Sequence, residues 1–180
     1  TEGKVLENPK NEAPEFIFQR TISPEKAPNK SCYITIEFKN SDPIKVNNKK
    51  LRPANLLQKL NLVAGKNGIG RVDLVENRFI GIKSRGVYET PGGTLLMHAH
   101  RAMESVTLDK DTMHKKDQIM PRYAELIYNG YWYSKERFKL QKIVDLNKNK
   151  VNGSVKLKLY KGNVTIVSRQ TKSAAYSMKK

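Results

Sequence analysis

Residues 67–109 have the sequence NGIGRVDLVENRFIGIKSRGVYETPGGTLLMHAHRAMESVTLD. This segment predicts a strand, a turn, a second strand and a helix, in that order. The strands are marked by apolar residues, which are Val72 and Leu74 in the first and Phe79, Ile80 and Ile82 in the second. Asn77-Arg78 is the polar break between the two strands. Gly81 and Gly86 fall within the second strand, where glycine indicates a bulge or a close approach of other atoms.

The helix of this segment is predicted to start at Thr90-Pro91, because threonine is a favourable N-cap and proline is favourable at the first helical position. Apolar residues then recur at helical spacing, namely Leu95, Leu96, Ala99, Ala102, Met103 and Val106. Upstream, an earlier helix is predicted from Pro53 to a stop at Gly65. GKNGIG, at residues 65–70, matches no phosphate-binding loop and is interpreted as the end of that helix and the start of the next strand.

The outer parts of the chain predict two hairpins and two further helices. Tyr33–Lys39 alternates apolar and polar residues and is predicted to pair with Pro43–Val46. Helices are expected after the caps Asp109 and Ser134, with Pro121 breaking or restarting the first of them. The alternation around Val155–Leu159 and Val164–Arg169 indicates a C-terminal β-hairpin. Strands and helices do not alternate regularly, so we predict an α+β fold with a mixed or antiparallel sheet and several packed helices.

Residues 1–31 are rich in proline, asparagine and charged residues and are predicted to be an extended arm or linker. Such an arm suggests a preceding domain, so residues 32–180 are expected to form the domain itself. The end of the chain, from Ser173 to Lys180, is polar and resembles the start of a tail. No apolar run approaches the length of a membrane-spanning helix, no secretory leader is evident, and the one cysteine, Cys32, fits a reducing compartment. We therefore expect a cytoplasmic location and no membrane partner.

The chain of 180 residues carries a formal net charge of +17, with a mean hydropathy of −0.65. A basic excess of this size is compatible with a nucleic-acid-binding module. In that case the aromatic residues Tyr128, Tyr131, Trp132 and Tyr133 would stack on bases. The alternative is that lysines, which are spread from Lys4 to Lys180, cover solvated faces, and that the aromatic cluster packs into the core or into another subunit.

Histidine spacing argues against a metal site. His98 and His100 lie two residues apart in one predicted helix and so point to different faces, and His114 stands alone. No metal is therefore expected. No arrangement of nucleophile, base and orienting group is visible either, which favours a surface that holds a substrate over a reaction centre.

The most specific polar group consists of Glu76, Arg85, Tyr88 and Glu89. Folding back near Asn77-Arg78 would bring Glu76 and Tyr88 together. A carboxylate beside a phenol suits a zwitterionic amino acid, because the carboxylate accepts from the ammonium and the hydroxyl bonds a polar end. A surface ion pair of Glu76 with Arg78 or Arg85 is the alternative. A pocket on the side where the N-terminal arm enters would favour the binding interpretation.

Four segments together resemble the C-terminal half of argininosuccinate synthase. They are EGKVLENPKNEAPEF, GIGRVDLVENRFIGIKSRGVYETPGGTLL, YAELIYNGYW and VKLKLYKGNVTIVSRQ, and they occur in the order of that family. The resemblance implies ATP-dependent ligation of citrulline and aspartate through a citrullyl-adenylate, with release of pyrophosphate and AMP. It implies that Glu76 and Tyr88 contact citrulline, with Lys83, Ser84 and Arg85 supporting the site and no catalytic residue in this half.

The resemblance also implies partners outside these residues. The family binds ATP, with Mg²⁺, mainly through an N-terminal domain that opens with a Ser-Gly-Gly-Leu-Asp loop, and no such loop occurs in residues 1–180. We therefore expect this fragment to bind no cofactor tightly, to bind no specific nucleic acid, and to be inactive alone. In the complete enzyme, citrulline, aspartate and ATP are the expected ligands and a homotetramer is the expected assembly.

Overall fold

The computed structural model describes residues 3–175. The strands in this range are β1 (Cys32–Lys39), β2 (Asp42–Val46), β3 (Lys49–Lys50), β4 (Arg71–Asn77), β5 (Lys83–Glu89), β6 (Gly153–Tyr160) and β7 (Asn163–Gln170). The α-helices in the same range are α1 (Lys4–Glu7), α2 (Pro53–Lys66), α3 (Pro91–Thr107), α4 (Lys110–Tyr128) and α5 (Lys135–Asp145). Single 3₁₀ turns lie at Glu15–Ile17, Pro24–Lys26 and Lys148–Lys150.

The main sheet has five strands in the order β3-β2-β1-β6-β7, and all its neighbouring strands are antiparallel. Alternation in β1 and β6 buries one face of this sheet, with Ile34, Ile36, Phe38, Val155, Leu157 and Leu159 in the core. Leu56 and Leu60 of α2 and Leu95 and Met103 of α3 pack onto that face. The prediction of an α+β fold with a C-terminal β-hairpin is thus confirmed.

The predicted helix starts are also confirmed. Pro53 and Pro91 occupy the first turns of α2 and α3. Asp109 caps α4 by accepting from the Thr112 N–H at 2.9 Å, and Ser134 caps α5 by accepting from the Arg137 N–H at 3.2 Å. These caps satisfy backbone donors that a helix cannot satisfy internally.

Pro121 does not break a helix, contrary to the prediction. It lies inside the continuous helix α4. Proline removes the hydrogen bond to the carbonyl four residues earlier, which belongs to Asp117. Both residues are exposed, so water can hydrate that carbonyl and the helix can continue.

The second strand of the central hairpin starts later than predicted. Phe79, Ile80 and Ile82 lie in the turn between β4 and β5, and their side chains are exposed. The Arg78 N–H donates to the Ile82 carbonyl at 2.8 Å, which closes this turn and excludes the apolar residues from strand pairing. An exposed apolar turn has the same local pattern as a strand, and for that reason the prediction was wrong.

The N-terminal arm is attached to this hairpin. The Glu89 carboxylate accepts hydrogen bonds from the N–H groups of Gln19, Arg20 and Thr21 at 2.8–3.1 Å, and from the Thr21 hydroxyl at 2.7 Å. Arg71 forms two 2.7 Å bonds to the Glu15 carboxylate. The arm then crosses α2 at Gly65, where any Cβ would collide with the Arg20 carbonyl. The arm therefore has fixed contacts along its length.

Two remaining predictions concern the C-terminal tail and membrane-spanning helices. Residues 176–180 of the predicted polar tail lie outside the described part of the chain. Among residues 3–175, no helix is both long and apolar enough to cross a membrane.

Replacing Glu89 by glutamine should loosen the arm. The glutamine amide offers donors where the arm also offers donors, so at least one arm N–H loses its acceptor, at a cost of about 1–2 kcal/mol. Faster hydrogen exchange at the amides of Gln19, Arg20 and Thr21 is the measurement. Glu125→Gln, at an exposed carboxylate on α4, is the matched control.

The same attachment should depend on pH. Burial alone would raise the pKa of Glu89, but the hydrogen bonds from Thr21 and the arm N–H groups outweigh burial and lower that pKa below its usual 4.5. A lowered pKa means that the stabilisation is present above pH 4.5 and is lost as the pH falls through the folded-state pKa. Equal arm protection in the native chain and in Glu89→Gln across that range would contradict this account.

Candidate functional site

The register of β4 and β5 places Glu76 and Tyr88 on one face of the hairpin. Val72 pairs with Tyr88, Leu74 with Gly86, and Glu76 with Ser84. Cross-strand partners point to the same side of an antiparallel pair, and side chains alternate along each strand. Glu76 and Tyr88 therefore share one face of the hairpin, and Gly86 lies between them on that face.

The Tyr88 hydroxyl donates a hydrogen bond to Oε1 of Glu76. The tyrosine ring reaches this position by lying across Gly86. A Cβ built on Gly86 would lie 2.5 Å from the ring and 2.6 Å from the hydroxyl oxygen, distances that no real Cβ contact allows. The Glu76–Tyr88 pair therefore requires glycine at position 86. The sequence predicted a close approach of other atoms at Gly86, and those atoms belong to the Tyr88 side chain.

Arg78 is a third member of the site. Its Nη2 lies 3.2 Å from Oε1 of Glu76, and its Nε donates to the Ser84 hydroxyl at 2.5 Å. The sequence offered the Glu76–Tyr88 contact and the Glu76–Arg78 ion pair as alternatives, and the structure contains both. Its Nη1 also donates to the Tyr128 hydroxyl, at the end of α4, at 3.4 Å.

Both contacts to Glu76 use the same carboxylate oxygen. Among residues 3–175, no group donates to Oε2. The Glu76 side chain is 17% exposed, and Tyr88 is 41% exposed. An ionised carboxylate offers about four acceptor positions, so Glu76 retains the capacity to accept from a ligand.

Electrostatics keeps Tyr88 as a neutral donor. The hydrogen bond to Glu76 is the largest cause that raises the pKa of Tyr88 above its usual 10.0, and burial acts in the same direction. The phenol is protonated at neutral pH, and its oxygen can accept a hydrogen bond while its O–H donates to Glu76. The Glu76 carboxylate and the Tyr88 phenol can bind the head group of a zwitterion, and among residues 3–175 the Ser84 hydroxyl donates to no base that would activate it as a nucleophile.

The three residues expected to support the site divide between the two faces. Ser84 lies on the face of Glu76 and contacts Arg78. Lys83 lies on the other face and donates to the Asn77 side chain at 2.8 Å. Arg85 lies there too and forms bonds of 2.8 and 2.6 Å to the Asp73 carboxylate, which holds the pKa of Asp73 below its usual value.

Arg85 binds the N-terminal arm. Its Nη1 donates to the Asn11 carbonyl at 2.8 Å and to the Asn8 carbonyl at 3.3 Å. Arg71 and Glu89, which also bind the arm, share the face of Arg85. The arm thus contacts the face opposite Glu76 and Tyr88, and the arrangement that would have placed the site on the arm side is not observed.

The aromatic cluster at Tyr128, Tyr131, Trp132 and Tyr133 is exposed and is not part of this chain's core. Arg137 lies between two rings, 4.7 Å from the centre of Trp132 and 4.0 Å from that of Phe138. The sequence predicts Tyr128 only as a member of this cluster, because it lies 50 residues from Arg78 and no local pattern links the two residues.

Residues 65–70 do not form a phosphate cradle. They comprise the end of α2 and the approach to β4, as predicted, whereas a phosphate loop precedes its helix. Within residues 3–175, no three His, Cys, Asp or Glu side chains come together as a set of metal ligands.

Comparison with known proteins adds the family. The family model described as "Arginosuccinate synthase C-terminal domain" matches residues 1–180. An argininosuccinate synthase of Pelagibacter ubique is 86% identical over 180 residues, which is all of this chain and 46% of that relative. Those of Mesorhizobium japonicum and Parvibaculum lavamentivorans are 59% and 57% identical over 177 residues, covering 98% of this chain and 44% and 43% of the relatives.

The name shared by these relatives is that of a ligase. The chain belongs to the argininosuccinate synthase family and corresponds to its C-terminal part. The chain spans less than half the length of the curated relatives that it matches.

Replacing Gly86 by alanine should separate Tyr88 from Glu76. The new methyl group would occupy the position of the ring, so the ring must move and the Tyr88 pKa should fall towards 10.0. Because the native pKa is raised, the bond stabilises the fold below pH 10 and is lost as the pH rises through that pKa. NMR titration of the tyrosine Cζ resonances is the measurement.

Gly93→Ala is the control, since the nearest atom to its new Cβ would be Thr90 Cβ at 3.8 Å, an ordinary contact. Its Tyr88 titration should match that of the native chain. An unchanged Tyr88 pKa in Gly86→Ala would show that the ring does not depend on the bare glycine.

Proposed function

We propose that this chain is the part of an argininosuccinate synthase that holds citrulline during ligation to aspartate. The observation that supports this most is the Glu76–Tyr88 pair, which leaves Oε2 of Glu76 without a hydrogen-bond donor among residues 3–175. Family membership supports the proposed reaction, and the geometry of the pair supports the proposed role of this half.

The pair suits the polar head group of a free amino acid. An ammonium placed beside Oε2 of Glu76 would form a charge-assisted hydrogen bond, which is stronger than a neutral one. The phenol oxygen of Tyr88 offers a second acceptor nearby. The site would thus orient the substrate without taking part in bond making.

The chemistry itself would take place against the rest of the enzyme. In the family, the citrulline ureido oxygen attacks the α-phosphorus of ATP, forming citrullyl-adenylate and pyrophosphate, and the aspartate amine then displaces AMP. Residues 65–70 do not fit a nucleotide site, so ATP and its Mg²⁺ would be bound by the remainder of the protein. Correct placement of the ureido group is then the contribution of this half to the rate.

We also propose that this half carries contacts of a cytoplasmic homotetramer. The exposed aromatic residues around the junction of α4 and α5 support this assignment, because aromatic side chains are enriched at protein interfaces.

The site can be tested in a completed chain, in which residues 1–180 replace the matching segment of the Pelagibacter ubique relative. Glu76→Gln removes the charge that would bind the ammonium, and it should raise the KM for citrulline by about tenfold to a hundredfold. Tyr88→Phe should raise it by about threefold to tenfold, because a neutral hydrogen bond is lost. Steady-state kinetics with citrulline varied and ATP and aspartate saturating is the measurement.

Glu136→Gln is the control, since this exposed carboxylate pairs with Arg122 on α4, away from the hairpin. Its KM for citrulline should equal that of the parent. A citrulline KM unchanged by Glu76→Gln would exclude the proposed role of the hairpin, while leaving family membership intact.

Residues 1–180 alone should release no pyrophosphate from ATP in the presence of citrulline and aspartate. The reason is that these residues hold no nucleotide loop of the family type. A coupled pyrophosphate assay is the measurement, with the completed chain as the positive control. ATP- and citrulline-dependent release by residues 1–180 would contradict the division of labour proposed above.

A further inference from the structure

Arg78 makes three different contacts with one guanidinium group. Nη2 faces Glu76 Oε1 at 3.2 Å, Nε donates to Ser84 Oγ at 2.5 Å, and Nη1 donates to the Tyr128 hydroxyl at 3.4 Å. The first two partners belong to the hairpin, whereas Tyr128 is the last residue of α4. One side chain thus connects the Glu76 carboxylate to a separate helix.

We propose that Arg78 is a positioning residue that orients the Glu76 carboxylate for substrate binding, and that Tyr128 holds Arg78 in place. This inference rests on the proposed function of Glu76. Arg78 Nη2 lies beside Oε1 of Glu76, and the Tyr88 hydroxyl donates to the same oxygen. Oε2 is therefore free of hydrogen-bond donors among residues 3–175.

The geometry of arginine explains why this residue type is suited to the task. A guanidinium is planar and carries donors in a fixed fork, so bonds at Nε and Nη1 determine where Nη2 lies. Ser84 and Tyr128 supply those two bonds. A lysine would retain the positive charge but present one freely rotating donor group, and it would not link three partners in a defined plane.

Tyr128 adds a constraint from outside the hairpin. The turn at residues 78–82 carries exposed apolar side chains, and the hydrogen bond from Arg78 to Tyr128 links this turn to α4. The hydrogen bond to Tyr128 is the largest cause that raises the pKa of Arg78, and the charge of Glu76 acts in the same direction. The end of α4 therefore forms one side of the support around Glu76.

The experiment uses the completed chain and a double-mutant cycle. Arg78→Met should raise the KM for citrulline by about tenfold while kcat changes less, because the substrate-binding carboxylate is misoriented. In a Glu76→Gln background the same substitution should add less than about twofold, since Arg78 acts through that carboxylate. A residue that only stabilises the fold would produce the same effect in both backgrounds.

Two further variants separate charge from geometry. Arg78→Lys keeps the charge, and it should recover less than half of the lost affinity on a logarithmic scale if the fork is required. Tyr128→Phe keeps the ring, and it should raise the citrulline KM by about twofold to threefold, as expected for one weak hydrogen bond. Combined with Arg78→Met, Tyr128→Phe should have no additional effect.

Arg122→Met is the matched control, because Arg122 is 48% exposed against 41% for Arg78 and also pairs with carboxylates, but on α4 and α5. Its citrulline KM should equal that of the parent. Thermal unfolding of every variant identifies any that fails to fold, and Arg78→Lys then replaces Arg78→Met in the cycle.

The outcomes are distinct. If Glu76→Gln raises the citrulline KM and Arg78→Met does not, or if the two effects multiply independently, the role of Arg78 is overturned and the proposed function stands. If Glu76→Gln has no effect, both the proposed function and this inference are overturned. Coupled effects of Glu76, Arg78 and Tyr128 on KM establish the inference.

Discussion

The antiparallel register of β4 and β5 assigns the polar side chains of the hairpin to two faces with different tasks. Arg71, Arg85 and Glu89 fall on one face and bind the N-terminal arm through carbonyls, N–H groups and the Glu15 carboxylate. Glu76, Ser84 and Tyr88 fall on the other face and form the candidate site. A shift of one residue in either strand would exchange these faces and separate both sets of partners. The hairpin thus joins the arm to the site through a common backbone.

Within the site, a missing side chain matters as much as those present. Gly86 leaves the surface between Leu74 and Tyr88 bare, and the ring of Tyr88 crosses it to reach Glu76. Arg78 approaches the same carboxylate oxygen from the turn, and Tyr128 brings the end of α4 to Arg78. Concentrating both contacts on Oε1 leaves the second oxygen for a ligand. One oxygen of the Glu76 carboxylate can therefore accept from a ligand while the other remains bound to protein groups.

Much of the architecture was predictable from local rules. Alternation in β1 and β6, proline at the starts of α2 and α3, and the caps Asp109 and Ser134 all led to the observed elements. The errors arose where tertiary context overrides local pattern, as in the apolar turn at Phe79–Ile82 and in the helix that continues through Pro121. For the site, the sequence indicated Glu76 and Tyr88, but it grouped Lys83 and Arg85 with them by proximity in the chain, although alternation places both on the arm face. Tyr128 was missed because its contact depends on the placement of α4, which no short-range pattern encodes.

The central claim is that Glu76 and Tyr88 hold the head group of citrulline. It is tested most directly by a crystal structure of the completed chain with citrulline bound. The account predicts citrulline on the face of β4 and β5 that carries Gly86, with its ammonium within hydrogen-bonding distance of Oε2 of Glu76 and with Oε1 still bound to Arg78. Citrulline bound elsewhere, with both oxygens of Glu76 engaged by protein groups, would contradict it.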